Sequence, residues 1–272
     1  MFATDDNGDG LSEIHLDFGS LGVWRNDESL WTQVSGINPL VGWRMDSGAA
    51  GWEEGVWSFS SYGLWRIWWS GGPVYEQLTG TAATSDDHAS ANFNTASDAE
   101  EMVVDFSGLG LWLLEGLSWT QLSAESPNKL IPVKFVGTAD YELLVDFNSV
   151  AGLWLWNYPD TWTKIMEDHP DAFAFCEPFD ADGTDSGDEE VAVALTAGGI
   201  SKYDYSAGAW SWVASNTSYH AVFIVKGDYF GHGRDADLAV AFDTATTGLW
   251  LYNGVTEDWF HISPTIPDSD LD

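Results

Sequence analysis

The stretch Gly152-Leu153-Trp154-Leu155-Trp156, followed by Trp162-Thr163-Lys164-Ile165, recurs along the whole chain. It returns as Gly248-Leu249-Trp250-Leu251-Tyr252 with Trp259-Phe260-His261-Ile262, and a worn copy is Gly199-Ile200-Ser201 with Trp210-Ser211-Trp212-Val213. Earlier copies begin at Gly22-Val23-Trp24, Gly63-Leu64-Trp65 and Gly110-Leu111-Trp112. The anchors of the repeat are therefore residues 24, 65, 112, 154, 201 and 250, with steps of 41 to 49 residues between them.

Each repeat reads as four short strands separated by turn residues. One strand ends in Asp-Phe or a related pair, as in Val104-Asp105-Phe106, and the Gly-Leu-Trp and Trp-x-x-Ile strands follow it. A period in the forties with β-type residues between turn signals is typical of a propeller blade. The pattern predicts an all-β, six-bladed β-propeller of four-stranded antiparallel blades. We expect the glycine before each anchor to supply a positive φ or to let neighbouring backbone approach.

The repeats also predict how the chain is organised as a domain. A single blade cannot bury its own apolar face, so residues 1–272 are expected to form one β-propeller domain. The first repeat starts almost at its loop, and segment 264–272 reads as the lead-in to a further loop. We therefore expect the N- and C-termini to meet in one blade and close the ring. The alternative, that the chain is excised from a longer array, stays open.

Composition restricts the class of partner. The chain carries 43 acidic and 9 basic residues, for a formal net charge of −34. This charge argues against nucleic acid or an anionic membrane surface as a partner, since both need a positive surface. The chain has no apolar run of about eighteen residues, so membrane insertion is not expected. Such acidity is typical of extracellular solubility, of divalent-cation binding or of a salty habitat, and these three explanations stay open. We expect a monomer that binds a protein or glycan ligand.

The loop of the first repeat, Asp5-Asp6-Asn7-Gly8-Asp9-Gly10-Leu11-Ser12-Glu13, carries oxygen ligands at the spacing of known calcium loops. Side-chain oxygens stand at relative positions one, three, five and nine, and a backbone carbonyl is available at position seven. The predicted calcium ligands are Asp5, Asn7, Asp9, Leu11 and Glu13. The alternative is that the carboxylate at position nine accepts hydrogen bonds from backbone N–H groups of its own loop.

An acidic residue stands at position nine of every repeat: Glu13, Glu54, Glu101, Glu142, Glu190 and Asp237. The fifth repeat keeps a weaker oxygen set, which predicts a second calcium site at Asp182, Thr184, Ser186 and Glu190, with the loop-capping alternative equally open. In the remaining four repeats the carboxylate is expected to cap its own loop.

The tryptophans fall into two groups. Those at the anchors are predicted to lie in the core: Trp24, Trp65, Trp112, Trp154 and Trp250. Those off the anchors are expected to be more exposed and, if the chain binds sugar, to stack on it: Trp43, Trp52, Trp68, Trp69, Trp156 and Trp212, with Tyr252 in register with Trp156.

These residues carry a resemblance. The string Asp5-x-Asn7-Gly-Asp9-Gly-x-x-Glu13-Ile before a strand, at blade spacing, resembles the FG-GAP/VCBS-type repeats of extracellular β-propellers, including the integrin α-subunit head. The Gly-Leu-Trp and Trp-x-x-Ile half is similar to bacterial propeller repeats of that group and to tachylectin-like lectin propellers. The resemblance covers the whole chain as architecture, although no Phe-Gly…Gly-Ala-Pro string is present. It implies secretion or surface display, calcium as a structural ion, and ligand binding on one face of the disc.

The sequence contains no motif for catalysis. It lacks Gly-x-Ser-x-Gly, His-Glu-x-x-His and a phosphate-binding glycine loop. The sequence thus predicts a non-catalytic binding, adhesion or structural module of a secreted or surface protein, stabilised by calcium, and not an enzyme. A carbohydrate-binding lectin propeller is the open alternative. A propeller glycosidase is a more distant one, which needs two close carboxylates.

Overall fold

The regular structure of the described part of the chain consists of β-strands and one short 3₁₀ helix, Gly19–Leu21. A computed structural model describes residues 1–48, 53–84, 88–94, 96, 99–134, 141–147, 152–167, 170–173, 190–195, 198–204, 208–214, 220–227, 229–231, 237–242 and 248–265. These residues form six four-stranded sheets, which we call blades 1 to 6 in chain order. Within each blade the strands are consecutive, and we name them A to D. The all-β prediction and its four-stranded antiparallel blades are confirmed, and no helix in these ranges is long and apolar enough to cross a membrane.

The strand bounds follow the repeat. Blade 1 holds β1 (Phe2–Thr4), β2 (Glu13–Asp17), β3 (Val23–Asp27) and β4 (Leu30–Ser35); blade 2 holds β5 (Val41–Met45), β6 (Glu54–Phe59), β7 (Gly63–Trp69) and β8 (Pro73–Thr79). Blade 3 holds β9 (His88–Ala91), β10 (Glu101–Phe106), β11 (Gly110–Glu115) and β12 (Ser118–Ser123); blade 4 holds β13 (Lys129–Val133), β14 (Glu142–Asp146), β15 (Leu153–Asn157) and β16 (Thr161–Met166). Blade 5 holds β17 (Pro170–Phe173), β18 (Glu190–Leu195), β19 (Ile200–Asp204) and β20 (Ala209–Ala214); blade 6 holds β21 (Ala221–Gly227), β22 (Asp237–Phe242), β23 (Gly248–Tyr252) and β24 (Trp259–Ser263).

The glycine before each anchor has both of the predicted roles. Gly63 and Gly110 have φ of +77° and +81°, a region that favours glycine. A Cβ built on Gly63 would lie 2.1 Å from the carbonyl oxygen of Thr79, and one on Gly110 would lie 2.2 Å from that of Ser123. Strands C and D therefore approach closely only because the residue at this point has no side chain.

Contacts divide the chain into two compact units, residues 1–132 with 157–161, and residues 133–156 with 162–272. Within the first unit, strand A of blade 2 contacts strand A of blades 1 and 3. Within the second unit, β17 and β18 of blade 5 both contact β21 of blade 6. Segment 266–272 lies outside the described residues, so closure of the ring by the two termini stays a prediction.

An aromatic residue on strand D links neighbouring blades. Its side chain donates a hydrogen bond to a backbone carbonyl on strand D of the preceding blade: Tyr75 Oη to Val34 at 2.6 Å, Trp119 Nε1 to Leu78 at 3.1 Å, and Trp210 Nε1 to Ile165 at 2.7 Å. Each bond joins residues 41 to 45 positions apart, which is one repeat. The aromatic of the Trp-x-x-Ile strand is thus an inter-blade contact, and its polar atom is satisfied where it is partly buried.

The anchor tryptophans are less buried than the sequence predicts. All five are only partly buried: Trp24, Trp65, Trp112, Trp154 and Trp250. The anchor stands at the start of strand C, beside the turn from strand B, so one edge of the ring remains near solvent. The expectation that these rings form the interior is therefore correct only in part.

The off-anchor rings agree with the expected exposure only in part. Trp43 and Trp156 are 5% and 0% exposed, and Tyr252 is also buried, so the expectation that these three are exposed is wrong. Trp156 and Tyr252 lie two residues further into strand C than the anchor, where the strand D tryptophan covers them. Trp43 stacks on His88 of blade 3, with ring centroids 4.1 Å apart. Of the remaining off-anchor rings, two are half-buried (Trp68 and Trp69), one is exposed (Trp212) and one lies outside the described residues (Trp52).

Candidate functional site

The first loop is held in shape by its own side chains. The Asp5 carboxylate accepts hydrogen bonds from the backbone N–H of Gly8 at 2.8 Å and of Gly10 at 3.0 Å. The Asp9 carboxylate accepts one from the N–H of Leu11 at 2.9 Å. Such bonds from aspartate to the backbone a few residues on are typical of tight turns. They fix the loop and engage both carboxylate oxygens of Asp5.

Three carboxylates converge beside this loop. Ligand oxygens of Asp9, Glu13 and Asp27 all lie within 4.8 Å of one another. The Asn7 side-chain amide donates to Asp9 Oδ2 at 3.2 Å and to Glu13 Oε1 at 3.3 Å, so a hydrogen-bond donor already lies against two of them. Calcium is held by several hard oxygen ligands in a flexible cage. The donor set therefore fits a divalent cation of this class.

The predicted ligands are only partly brought together. Glu13 and Asp9 belong to the converging set and Asn7 lies against it, whereas the carboxylate of Asp5 is turned to its own backbone. Asp27 was missed because it belongs to strand C, fourteen residues beyond Glu13. Strand register was the signal that could have found it. Asp17 pairs with Val23 and Ile14 with Asn26, so one further step along the hairpin places Asp27 opposite Glu13.

A buried arginine neutralises the same cluster. Arg25 is 2% exposed, and its guanidinium donates to both carboxylate oxygens of Asp6 at 2.7 to 2.9 Å. It also lies 3.2 Å from Glu13 and donates to Asp27 at 2.8 Å. His15 Nε2 lies 2.9 Å from Oδ2 of Asp6. A buried charge is costly unless it is paired. Removal of any one of these groups would therefore leave its partner with an uncompensated buried charge.

Burial and these partners move the pKa values of the two buried acids apart. Burial alone would raise the pKa of Asp6, but hydrogen bonds with His15 and Arg25 outweigh it and hold the pKa below its ordinary value. Burial raises the pKa of Glu13 to about 7; the nearby Asp6 adds to this shift and Arg25 opposes it. Asp6 is thus the permanent counter-ion of Arg25, and Glu13 is the acid whose charge a bound cation would stabilise.

The position-nine carboxylates of other blades cap their own loops, as expected. The acceptors are buried and each takes at least one backbone N–H: Glu54 from Ser47, Glu101 from Phe93 and Asn94, and Asp237 from Phe230 and Gly254, at 2.8 to 3.2 Å. Glu13 does the same for Asp6 at 3.1 Å. The expected capping role is confirmed in blades 2, 3 and 6. In blade 1 capping was the alternative to calcium, and the calcium site there stays a prediction. For the second predicted calcium site, Asp182, Thr184, Ser186 and the side chain of Glu190 lie outside the described part of the chain.

The turn between strands B and C carries an exposed apolar residue in blades 1 to 3. Leu21, Tyr62 and Leu109 are 63%, 53% and 53% exposed. The carbonyl of each accepts two hydrogen bonds, one from the anchor tryptophan and one from a strand D glutamine. The donor pairs are Trp24 with Gln33, Trp65 with Gln77, and Trp112 with Gln121, at 2.7 to 3.0 Å. The repeat thus fixes the backbone from which each apolar side chain projects.

In blade 5 the tryptophan stands on strand D, whereas in blades 1 to 3 the anchor tryptophan stands on strand C. Ser201 stands at the anchor, and its cross-strand partner, where blades 1 to 3 carry glutamine, is Trp212. The Trp212 ring lies over Gly199, whose added Cβ would be 2.9 Å from it. The indole is 55% exposed. The fifth repeat, which is the most divergent copy, therefore carries this tryptophan on strand D instead of strand C.

No family model matches the chain, and no curated protein matches it by sequence. Solved structures do resemble it. BBS1N in complex with ARL6DN matches 93% of this chain and 77% of its own, with a TM-score of 0.55 and 12% identity. The extracellular domain of BT4673 from B. thetaiotaomicron matches 98% of this chain but 33% of its own, with a TM-score of 0.53 and 15% identity. The BP39L lectin from Burkholderia pseudomallei matches 93% and 81%, with a TM-score of 0.50 and 12% identity.

These likenesses establish a propeller-type fold and leave the function open. The similar structures include propeller-type proteins that differ in role, among them a protein-bound domain, an extracellular domain and a lectin. Enzymes also occur among them. At identities of 11 to 15% such matches carry architecture only. The function must therefore be argued from the residues of this chain.

Proposed function

We propose that this chain is a non-catalytic binding or adhesion module of a secreted or surface protein, built as a closed six-bladed propeller. The observation that carries the proposal is the set of exposed apolar side chains on fixed B–C turns: Leu21, Tyr62 and Leu109. The backbone carbonyl of each of these residues accepts two side-chain hydrogen bonds, which hold the turn in place. A preorganised contact loses little conformational entropy on binding, so turns held in this way are suited to bind the surface of a partner protein.

Calcium belongs to this proposal as a structural ion. Asp9, Glu13 and Asp27 would hold it, with Asn7 turned to offer its oxygen in place of its amide nitrogen. Hard carboxylate oxygens suit this cation, and its charge would offset the acidity of the loop. The ion would stiffen the connection between strands A and B of blade 1. It takes no part in chemistry.

Extracellular or surface location is part of the same proposal. The net charge of −34, the resemblance of the first loop to extracellular propeller repeats, and the structural likeness to an extracellular domain all support it. A protein ligand is favoured because the B–C turns present apolar side chains, which partner proteins bury. We propose that the chain acts as a monomer.

The test is a binding measurement with a surface variant. The labelled chain is screened against extracellular proteins of its source, and the hit is titrated with wild type and with Leu21→Ser/Tyr62→Ser/Leu109→Ser. We expect the triple variant to bind at least about tenfold more weakly, since loss of even one hot-spot side chain costs about 2 kcal/mol or more. Its circular dichroism and Tm should be unchanged because the three side chains are exposed. Equal binding by both proteins would contradict the proposal.

A lectin is the second candidate, and the exposed Trp212 favours it. An indole face that is open to solvent can stack on the apolar face of a sugar ring. A glycan array with calcium and with chelator distinguishes this function. Binding to a defined glycan that Trp212→Ala abolishes, together with unchanged binding by the triple variant, would establish the lectin instead.

A further inference from the structure

A groove of about 340 Å³ lies between blades 1 and 2. Its volume falls within the range of small ligand pockets. Its floor is formed by three buried side chains, Val34, Phe59 and Ile67. Three aromatic rings of higher exposure surround it: Tyr62, Trp65 and Tyr75. Strand D of blade 1 provides one wall, and strands C and D of blade 2 provide the other.

The groove exists because blade 2 departs from the repeat. Strand register aligns Tyr75 with Trp31, Trp119, Trp210 and Trp259, and the sequence repeat aligns it with Trp162 of blade 4. In four of those blades the tryptophan packs on the phenylalanine that follows strand B or ends it, with ring centroids 5.2 to 6.0 Å apart. In blade 2 the corresponding rings, Phe59 and Tyr75, instead line the groove. A smaller ring at position 75 leaves open the space that indole fills elsewhere.

The chemistry of the lining favours an apolar ring as occupant. Polar atoms around the groove are already engaged within the chain: Tyr75 Oη donates to the Val34 carbonyl and Trp65 Nε1 to the Tyr62 carbonyl. Ser35 Oγ accepts from the N–H of Ile37. A sugar needs several free hydrogen-bonding partners to replace its water, whereas an aromatic side chain needs apolar contact above all.

The surrounding charge favours a basic partner. Residues 1–84 contain eleven acidic side chains and three basic ones, all arginine. Each arginine is paired with carboxylates: Arg25 with Asp6 and Asp27, Arg44 with Glu53 and Glu100, and Arg66 with Glu76. Blades 1 and 2 therefore present a negative field to an approaching ligand. Such a field speeds the association of cationic partners and repels anionic ones.

We propose that the groove receives an aromatic side chain from a basic segment of the partner protein. The inference rests on the proposed binding function and deepens it by naming one contact and its chemistry. Tyr75 sets the specificity, since its smaller ring admits the incoming side chain. Tyr62, Trp65 and Tyr75 supply the aromatic surroundings, and the acidic surface supplies the preference for lysine or arginine beside the inserted ring.

The other repeats provide the variant that tests this. Tyr75→Trp restores the residue of the other blades; its Nε1 can replace the Tyr75 hydrogen bond as Trp119 does in blade 3, so the fold is kept while the groove is filled. Tyr75→Phe is the control: it removes the hydrogen bond of Tyr75 to the Val34 carbonyl but leaves the groove open, so it separates the effect of that bond from the effect of filling the groove. The probe is a blocked tripeptide, Lys-(5-fluoro-Trp)-Lys, followed by fluorine NMR, with the Glu-flanked peptide as charge control.

We expect the Lys-flanked probe to bind wild type and Tyr75→Phe in roughly the millimolar range, as suits a single inserted side chain. Binding by Tyr75→Trp should be at least about tenfold weaker. Equal binding by Tyr75→Trp, or no binding to wild type, would overturn the inference. Equal affinity for the Glu-flanked peptide would overturn its charge preference, and displacement of the probe by methyl glycosides would assign the groove to carbohydrate instead.

The same variants separate this inference from the proposed function. If Tyr75→Trp binds the full partner as wild type does, the groove contact is wrong while the binding module stands. If the tripeptide binds in the groove but no extracellular partner is bound by wild type, the proposed function is wrong while the groove remains a site.

Discussion

The capping carboxylate of blade 3 gives a sharp test of how the blades are stabilised. Glu101 is 2% exposed, and its Oε2 accepts hydrogen bonds from the backbone N–H of Phe93 at 2.8 Å and of Asn94 at 3.0 Å. Phe93 is itself buried. Burial raises the pKa of Glu101, and the two backbone donors oppose that shift. The side chain therefore satisfies the loop at some cost in desolvation of its own charge.

The magnitude follows from the donors that a substitution leaves unpaired. In Glu101→Ala, the Asn94 N–H loses its acceptor, whereas the Phe93 N–H keeps its hydrogen bond to the Ala91 carbonyl at 3.1 Å. An orphaned donor costs about 1–3 kcal/mol. Relief of the desolvated carboxylate offsets part of this, so we expect a net loss of about 1–2 kcal/mol in the free energy of unfolding. Glu101→Gln keeps a carbonyl acceptor in the same place without the charge, and we expect it to lie within about 1 kcal/mol of wild type.

Urea unfolding at neutral pH, followed by tryptophan fluorescence and circular dichroism, measures both variants. An unchanged m-value for each would show that the comparison reports stability and not a change in compactness. The reasoning would be refuted if the alanine and glutamine variants were equally stable. In that case the two backbone donors would not depend on this carboxylate, and the position-nine acid would have another role.

Two further predictions concern calcium and pH. Asp9→Ala should lower the Tm in calcium but change it little in chelator, because Asp9 is one of the three carboxylates that converge beside the first loop; an equal loss in both conditions would mean that Asp9 only braces its loop. Burial raises the pKa of Glu54, Glu100 and Glu101, so in chelator the folded state binds more protons than the unfolded state between the ordinary and the raised values. The free energy of unfolding should therefore rise as pH falls through the raised pKa values toward the ordinary value of 4.5, and Glu54→Gln should show a weaker dependence. A stability that rises with pH across this range would contradict the assignment.

The strand pattern was predictable because it depends on short stretches of sequence. A glycine with positive φ, an aromatic anchor and a turn recur together, and the same local geometry is required wherever two strands must approach closely. This is why Gly63 and Gly110 behave as expected. The acidic residue at position nine was predictable for the same reason, since it bonds the backbone of its own loop a few residues away.

The exposure of individual rings was not predictable in this way. Strands of one blade pack against those of the next, so a ring can be covered on either face of a strand and alternation does not separate inside from outside. Trp156 is buried because the strand D tryptophan covers it, whereas Trp154, two residues earlier, remains near the turn. Trp43 is buried because His88, from the next blade, stacks on it.

The sequence by itself determined the elements of this protein: the six repeats, their four strands, the capping acids and an oxygen-rich first loop. Only the tertiary structure decided which groups meet. Asp27 joins Asp9 and Glu13 through strand pairing, Arg25 reaches Asp6 across nineteen positions, and Tyr75 leaves a groove against the preceding blade. The physical reason is the range of the interactions. Hydrogen bonds within a turn are set by neighbours in sequence, whereas ion pairs and grooves depend on side chains that only folding brings together.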